Sequence, residues 1–184
     1  MKISIITACY NSSKTILDSI KSVNNQSYAD IEHVFIDGVS NDNTLEIIEL
    51  NSKRNQVVLS EKDNGLYDAM NKGVSLASGD VIGFLHSDDL LASPTIIEDL
   101  VTKMKCDNLD GIYGDLQYVN KFNTNKIIRF WKSCEFRQES LKLGWMPAHP
   151  TLFLNKEIYH NHGVFNTSFK ISADYDFMLR ILKD

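Results

Sequence analysis

Four short apolar runs, at residues 3–8, 33–36, 57–60 and 81–85, alternate with segments whose apolar residues recur every three or four positions. No other feature of the chain constrains its fold as much. Strands separated by a helix's length of chain cannot pair as hairpins; they return in the same direction and pair in parallel, with helices over both faces. Between the first two runs Ile16, Leu17, Ile20 and Val23 share a helical face, with Asn11, Ser12 and Ser13 as candidate caps. Asp42 precedes Leu45 and Ile48 after the second run, and Leu66, Met70, Val74 and Ala77 follow the third. After the fourth, Ser93-Pro94 reads as a cap and a first helical residue leading into Ile97, Leu100, Val101 and Met104. The expected fold class is α/β, a mainly parallel central sheet flanked by helices.

The pattern changes at residue 111. Residues 111–119 and 126–131 read as two strands joined by the polar stretch 120–125, a small antiparallel hairpin rather than another crossover. A loop at 144–150 precedes a short strand at 151–154, and residues 173–183 carry Tyr175, Met178, Leu179 and Leu182 in helical register. No stop signal follows that helix, which leaves a continuation past residue 184 open. With no repeat or linker, residues 1–184 are expected to form one domain, its halves at 1–110 and 111–184.

Composition narrows the function. Net charge is −5 and no concentrated lysine or arginine block stands out, so nucleic acid is not an expected partner. Cys9, Cys106 and Cys134 are odd in number and far apart, which argues against a disulfide framework or a structural zinc site. His160 and His162 lack a second ligand pair and read as a solvated loop. The apolar start at residues 3–6 is too short for a signal peptide, and no run approaches the roughly 18 residues needed to span a bilayer. The expected location is the cytoplasm, with peripheral contact at the inner membrane face left open.

In an open parallel sheet, ligands bind outside the carboxyl ends of the strands. Those ends read Thr7-Ala8-Cys9-Tyr10-Asn11, Asp37-Gly38, Glu61-Lys62-Asp63-Asn64-Gly65 and His86-Ser87-Asp88-Asp89. All are polar and three are acidic, and so many carboxylates on one edge repel one another unless a cation or a ligand's donors sit among them. No glycine-rich phosphate loop follows the first strand, which weakens the dehydrogenase and P-loop readings. A diphosphate would then be neutralised by a hard divalent ion on a carboxylate such as Asp88.

Thr7-x-x-Tyr10-Asn11, Asp37-Gly38-x-Ser40-x-Asp42-x-Thr44, Gly79 to Leu85 with the acidic cluster after it, and Ala173-Asp174-Tyr175-Asp176 with Arg180 together resemble glycosyltransferase family 2. Each motif is weak alone; their order and spacing over nearly the whole chain are specific. The resemblance implies a single nucleotide-sugar-binding domain of the GT-A type and an inverting transfer from a nucleoside-diphosphate sugar, with uracil the expected base, to a carbohydrate or lipid-linked acceptor. It also implies a place in cell-surface polysaccharide synthesis.

By that resemblance Thr7, Tyr10, Asn11, Asp37, Asp63, Asn71, Lys72 and Ser87 are the nucleotide-sugar-binding positions. Asp88 matches the last acid of an Asp-x-Asp element holding Mn²⁺ or Mg²⁺, with His86 in place of the first. Asp174 matches the catalytic base, and His149 and Asp89 lie on the acceptor side. Two departures stand out. His86 brings no negative charge to the metal element, and Ala173 precedes Asp174 where many relatives have glutamate. The alternative is a catalytically impaired relative that binds a nucleotide sugar or a protein. A nucleotidyltransferase is a further rival, with Lys14 the only cation near the first strand end.

Overall fold

The computed structural model describes residues 1–183. Strands β1 (Ile3–Cys9), β2 (Ile31–Asp37), β3 (Asn55–Ser60) and β4 (Val81–Phe84) alternate with helices α1 (Ile16–Asn24), α2 (Thr44–Asn51) and α3 (Leu66–Leu76), and α4 (Ile96–Asp107) follows β4. The four strands are parallel, and they belong to a six-stranded sheet of order β3-β2-β1-β4-β8-β5. The expected α/β fold class and its parallel core are present. Chain direction across the sheet reverses between β1 and β4, and such a switch point opens a crevice at the carboxyl ends of the strands.

Alternation along the strands divides the core. Ile3 and Ile5 of β1 point toward α1 and α4 with Val23, Ile97, Val101 and Met104. Ile6, Val34, Ile36 and Ile82 point the other way, against Met70 and Val74 of α3 and Phe177 and Met178 of α7 (Ala173–Leu182). Each such fully buried aliphatic contributes about 1.5–3 kcal/mol relative to an exposed one.

The second half departs from the sequence reading. The run 111–119 is not one strand: β5 (Gly111–Ile112) joins the main sheet, and β6 (Leu116–Asn120) pairs instead with β7 (Asn123–Trp131) in a separate hairpin. Its turn is Lys121-Phe122 rather than the longer stretch 120–125. Strand β8 (Phe153–Asn155) inserts antiparallel between β4 and β5, preceded by a 3₁₀ turn at His149–Thr151. Gly83 permits this, because a Cβ there would lie 2.1 Å from the Phe153 ring. A short helix α5 (Gln138–Leu141) and α6 (Lys156–His162) were not foreseen, and α6 carries His160 and His162 in its last turn rather than in a loop. Helix α4 starts at Ile96, with Pro94 in the turn before it instead of at the first helical position.

The amino edge of the sheet is held by a buried carboxylate. Glu32 accepts from Lys2 Nζ (2.8 Å), Ser4 Oγ (2.6 Å), Ser78 N (2.8 Å) and Ser78 Oγ (2.6 Å). Burial would raise its pKa, but these donors outweigh burial and hold it at about 2. Glu32→Ala leaves the donors unpaired and is expected to cost about 3–5 kcal/mol in urea unfolding.

One strand residue further on, His33 is fully buried. The Thr7 hydroxyl donates to Leu85 O (2.7 Å), so the 2.9 Å contact from His33 Nε2 to Thr7 Oγ1 makes Nε2 the protonated nitrogen. His33 Nδ1 is left without a partner. Burial lowers the imidazole pKa from 6.5 to about 3. The unfolded chain therefore takes up a proton below pH 6.5 that the folded one refuses, and stability contributed above that pH is lost as pH falls toward 3. The expected loss is about 1.4 kcal/mol per pH unit, and His33→Gln should flatten the measured slope by one proton.

Candidate active site

The carboxyl ends of the strands are in register: Cys9 of β1 lies beside Asp37 of β2, and Asp37 beside Ser60 of β3. Asp37 is fully buried. Its Oδ1 accepts from Ser40 Oγ (2.5 Å) and its Oδ2 from Ser40 N (3.0 Å) and Ser60 Oγ (2.7 Å). Both oxygens thus brace the rim. Thr7, also buried, lies under the floor with its hydroxyl spent on Leu85 O and His33. The Cys9 thiol is pushed up to about 12 by burial first and Asp37 second, so it stays protonated and is no nucleophile.

Asn11, Ser12 and Ser13 do not cap α1, whose N-cap is Thr15. They tie the loop after β1 to its neighbours instead. Asn11 N donates to Ser40 Oγ (2.8 Å), Asn41 N donates to Asn11 Oδ1 (3.0 Å), and Ser13 N donates to Asp42 Oδ2 (3.1 Å). Hydrogen bonds from Thr44 and then Ser13 hold the Asp42 carboxyl well below the usual range. On the other side, Ser12 Oγ meets Ser87 Oγ at 2.9 Å, which joins the β1 and β4 loops across the switch point. Gly38 lets the next pair converge: a Cβ there would lie 2.7 Å from Asp63 Oδ2 and 3.4 Å from the Tyr10 ring. Tyr10 itself is 62% exposed, an open aromatic face beside that carboxylate.

Asn71 and Lys72 are otherwise engaged. Asn71 Nδ2 donates to Phe165 O (2.8 Å) and its Oδ1 accepts from Phe165 N (2.9 Å). Lys72 Nζ donates to Lys62 O (2.7 Å) and pairs with Glu61 (2.9 Å). Both hold loops around Asp63 and Phe165 in place.

The most informative arrangement links residues far apart in sequence. Tyr67 Oη donates to Asp174 Oδ1 (2.8 Å), and Asp174 Oδ2 lies 3.3 Å from His149 Nδ1. His149 Nε2 in turn lies 3.2 Å from His86 Nε2. With the His149 proton on Nδ1, toward the carboxylate, its Nε2 is left to accept from His86 Nε2. Burial, then the neighbouring His86, lower the His149 pKa, against the opposing pull of Asp174. Burial and the Asp174 contact raise the Tyr67 pKa, so it remains a donor. Behind Asp174 the wall is apolar, formed by Met70, Phe84, Phe165 and Phe177. Ala173 is fully buried beside Phe177, so a glutamate at that position would have to be desolvated.

Asp89 has its pKa raised by burial, whereas Asp88 is exposed. Among the described residues no three histidine, cysteine or carboxylate side chains gather as a protein-only metal cage. A free carboxylate at Asp88 fits a hard divalent ion shared with substrate phosphates, the mode in which one or two carboxylates suffice. His86 fits less well because its Nε2 already faces His149.

The sequence offers Ser40 only as part of a motif and Ser12 only as a cap, and it singles out neither Tyr67 nor Ser60. A hydroxyl 107 positions from its carboxylate leaves no local signal. Beside this rim Val39 adopts φ 63°, an outlier for a β-branched residue. Val39→Asn should relieve that strain and raise stability by about 1 kcal/mol in urea titration. A loss instead would mean that the valine side chain is needed where it stands.

The comparisons with known proteins identify a family and a fold. Residues 4–168 match the family model "Glycosyl transferase family 2". An uncharacterized glycosyltransferase of Mycobacterium tuberculosis is 30% identical over 183 residues, covering 97% of this chain and 68% of the relative. Equally, 30% identity over 183 residues, 99% of this chain and 70% of the relative, links it to the Escherichia coli UDP-Glc:alpha-D-GlcNAc-diphosphoundecaprenol beta-1,3-glucosyltransferase WfgD. Residues 1–349 of S. aureus TarS in complex with UDP-GlcNAc superimpose with a TM-score of 0.85 at 22% identity, over 99% of this chain and 53% of that one. The mannosyltransferase PcManGT of Pyrobaculum calidifontis, in complex with GDP-Man and Mn²⁺, gives 0.70 at 16% identity, over 98% and 51%. The chain thus spans about two thirds of the curated relatives and about half of these solved structures. The fold they share with it is the GT-A fold.

Proposed function

The chain belongs to glycosyl transferase family 2, and from that premise we propose that it is an inverting transferase. It moves a sugar from a UDP-sugar to the hydroxyl of a carbohydrate or lipid-linked acceptor, in the synthesis of a cell-surface polysaccharide. The observation that carries this reading is the Asp174 carboxylate, held by Tyr67 at 2.8 Å and facing His149 at 3.3 Å. The TarS complex with UDP-GlcNAc and the diphosphoundecaprenol acceptor in the WfgD name support the donor and acceptor classes.

Asp174 accepts the proton of the attacking acceptor hydroxyl, whose oxygen forms the new bond to the anomeric carbon as the bond to the diphosphate oxygen breaks. Tyr67 and His149 fix the direction of the carboxylate while each oxygen keeps a lone pair for that proton. A single displacement opposite the leaving group inverts the anomeric centre without a covalent intermediate. Tyr10 and Asp63, adjacent at Gly38, face the donor. Asp88 would hold Mn²⁺ or Mg²⁺, which would supply Lewis acidity for the departing diphosphate. The Mn²⁺ in the PcManGT complex supports that assignment.

A binding-only relative is the second reading, favoured by His86 standing where an acid is expected and by its engagement with His149. Turnover of UDP-sugars with Mn²⁺ separates the two. Asp174→Ala is expected to lower transfer by about 10²–10⁴-fold while UDP still raises the melting temperature. Asp88→Ala should remove the increment that Mn²⁺ adds to UDP binding. Loss of both transfer and UDP binding in Asp174→Ala would make that residue structural.

A further inference from the structure

The hairpin β6–β7 stands outside the six-stranded sheet, and every residue from Lys121 to Phe130 is exposed. Its apolar side chains are large: Phe122 at the turn is 92% exposed and Ile128 66%, and Ile127 and Phe130 are exposed beside them. A two-stranded ribbon solvated on both faces is marginal in water, so these side chains call for a partner. Charge indicates which partner. Residues 121–132 carry Lys121, Lys126, Arg129 and Lys132 and no carboxylate, which is +4 in a chain of −5 and leaves −9 elsewhere.

The faces differ. Register pairs Leu116 with Trp131 and Tyr118 with Arg129, and the Arg129 guanidinium lies 5.4 Å from the Tyr118 ring centre and 5.9 Å from that of Trp131. Gln117 opposite Phe130 and Val119 opposite Ile127 lie on the other face by strand alternation, with Ile128 at the register shift between them. Aromatic and aliphatic side chains interleaved with lysine and arginine match the boundary between headgroups and acyl chains of an anionic leaflet.

We infer that β6–β7 docks the protein on an anionic lipid surface, Phe122 and Ile128 entering the interface and the four cations meeting lipid phosphates. The placement has a consequence for the reaction, which rests on the transferase reading above. Thr124 of β7 shares a cleft of about 370 Å³ with Leu90 and Leu91, the residues directly after Asp88-Asp89. A docked hairpin therefore brings the acidic rim beside the surface on which a lipid-linked acceptor presents its hydroxyl.

The test is co-sedimentation of the whole chain with vesicles of phosphatidylglycerol in phosphatidylcholine, against phosphatidylcholine alone. Expected are binding to the anionic vesicles only and a fall of about tenfold or more in Lys121→Glu/Lys126→Glu or in high salt. Phe122→Ser/Ile128→Ser should weaken binding as well, with the UDP thermal shift unchanged in both variants. Absence of binding, or binding indifferent to these substitutions, overturns the inference. So does a dimer in vesicle-free solution that Phe122→Ser abolishes, since the surface then serves a second copy. UDP binding without vesicle binding overturns the docking alone; vesicle binding without UDP binding overturns the transferase reading alone.

Discussion

Strand β2 carries a buried carboxylate at each end, and the sheet depends on both being satisfied. Glu32 gathers donors from β1 and from the turn before β4 at the amino edge, and Asp37 gathers Ser40 and Ser60 at the carboxyl edge. A buried charge is tolerated only when its lone pairs are taken, so these contacts fix which neighbours flank β2 and at what register. Between them the floor is apolar except for Thr7 and His33, which share one hydrogen bond while His33 Nδ1 stays without a partner. The rim above stands on this frame, and its polar residues spend most of their hydrogen bonds on one another.

That economy explains how much was legible in the sequence. The parallel strands and their order of appearance follow from the spacing of residues 3–8, 33–36, 57–60 and 81–85, since each crossover helix lies within its own stretch of chain. The three-residue strand β8 was legible in position but not in direction, because its place between β4 and β5 depends on Gly83 yielding to Phe153 seventy positions away. The break between β5 and β6 is marked by Gly114-Asp115, a turn signal that a reading of 111–119 as one strand passes over. At the rim, the polarity of the four strand ends was readable, and the family resemblance singled out Asp174, whose contacts with Tyr67 and His149 left no mark in the sequence. Which side chain braces and which remains free was not. Asp37, Asn71 and Lys72 carry the expected residue types, yet in this structure their polar atoms are engaged with neighbours. The contacts that decide this span 23 positions for Ser60 and Asp37 and 94 for Asn71 and Phe165.

The replacement of an acid by His86 changes the charge of the rim without opening a gap. A second carboxylate next to Asp88 and Asp89 would add repulsion that only a cation relieves. The imidazole instead joins His149 and, through it, Asp174, so the β4 loop and the start of α7 are connected through two imidazole rings. The metal-binding and proton-accepting parts of the proposed mechanism are thereby mechanically continuous.

The Tyr67 hydroxyl has a further consequence. Tyr67 stands in the first turn of α3, directly after the loop that carries Asp63 and Gly65, while its partner Asp174 opens α7. The aim of that carboxylate is therefore tied to the loop that follows β3. Loop and carboxylate are coupled through a single hydroxyl, so a displacement of one is passed to the other and the two cannot be repositioned separately.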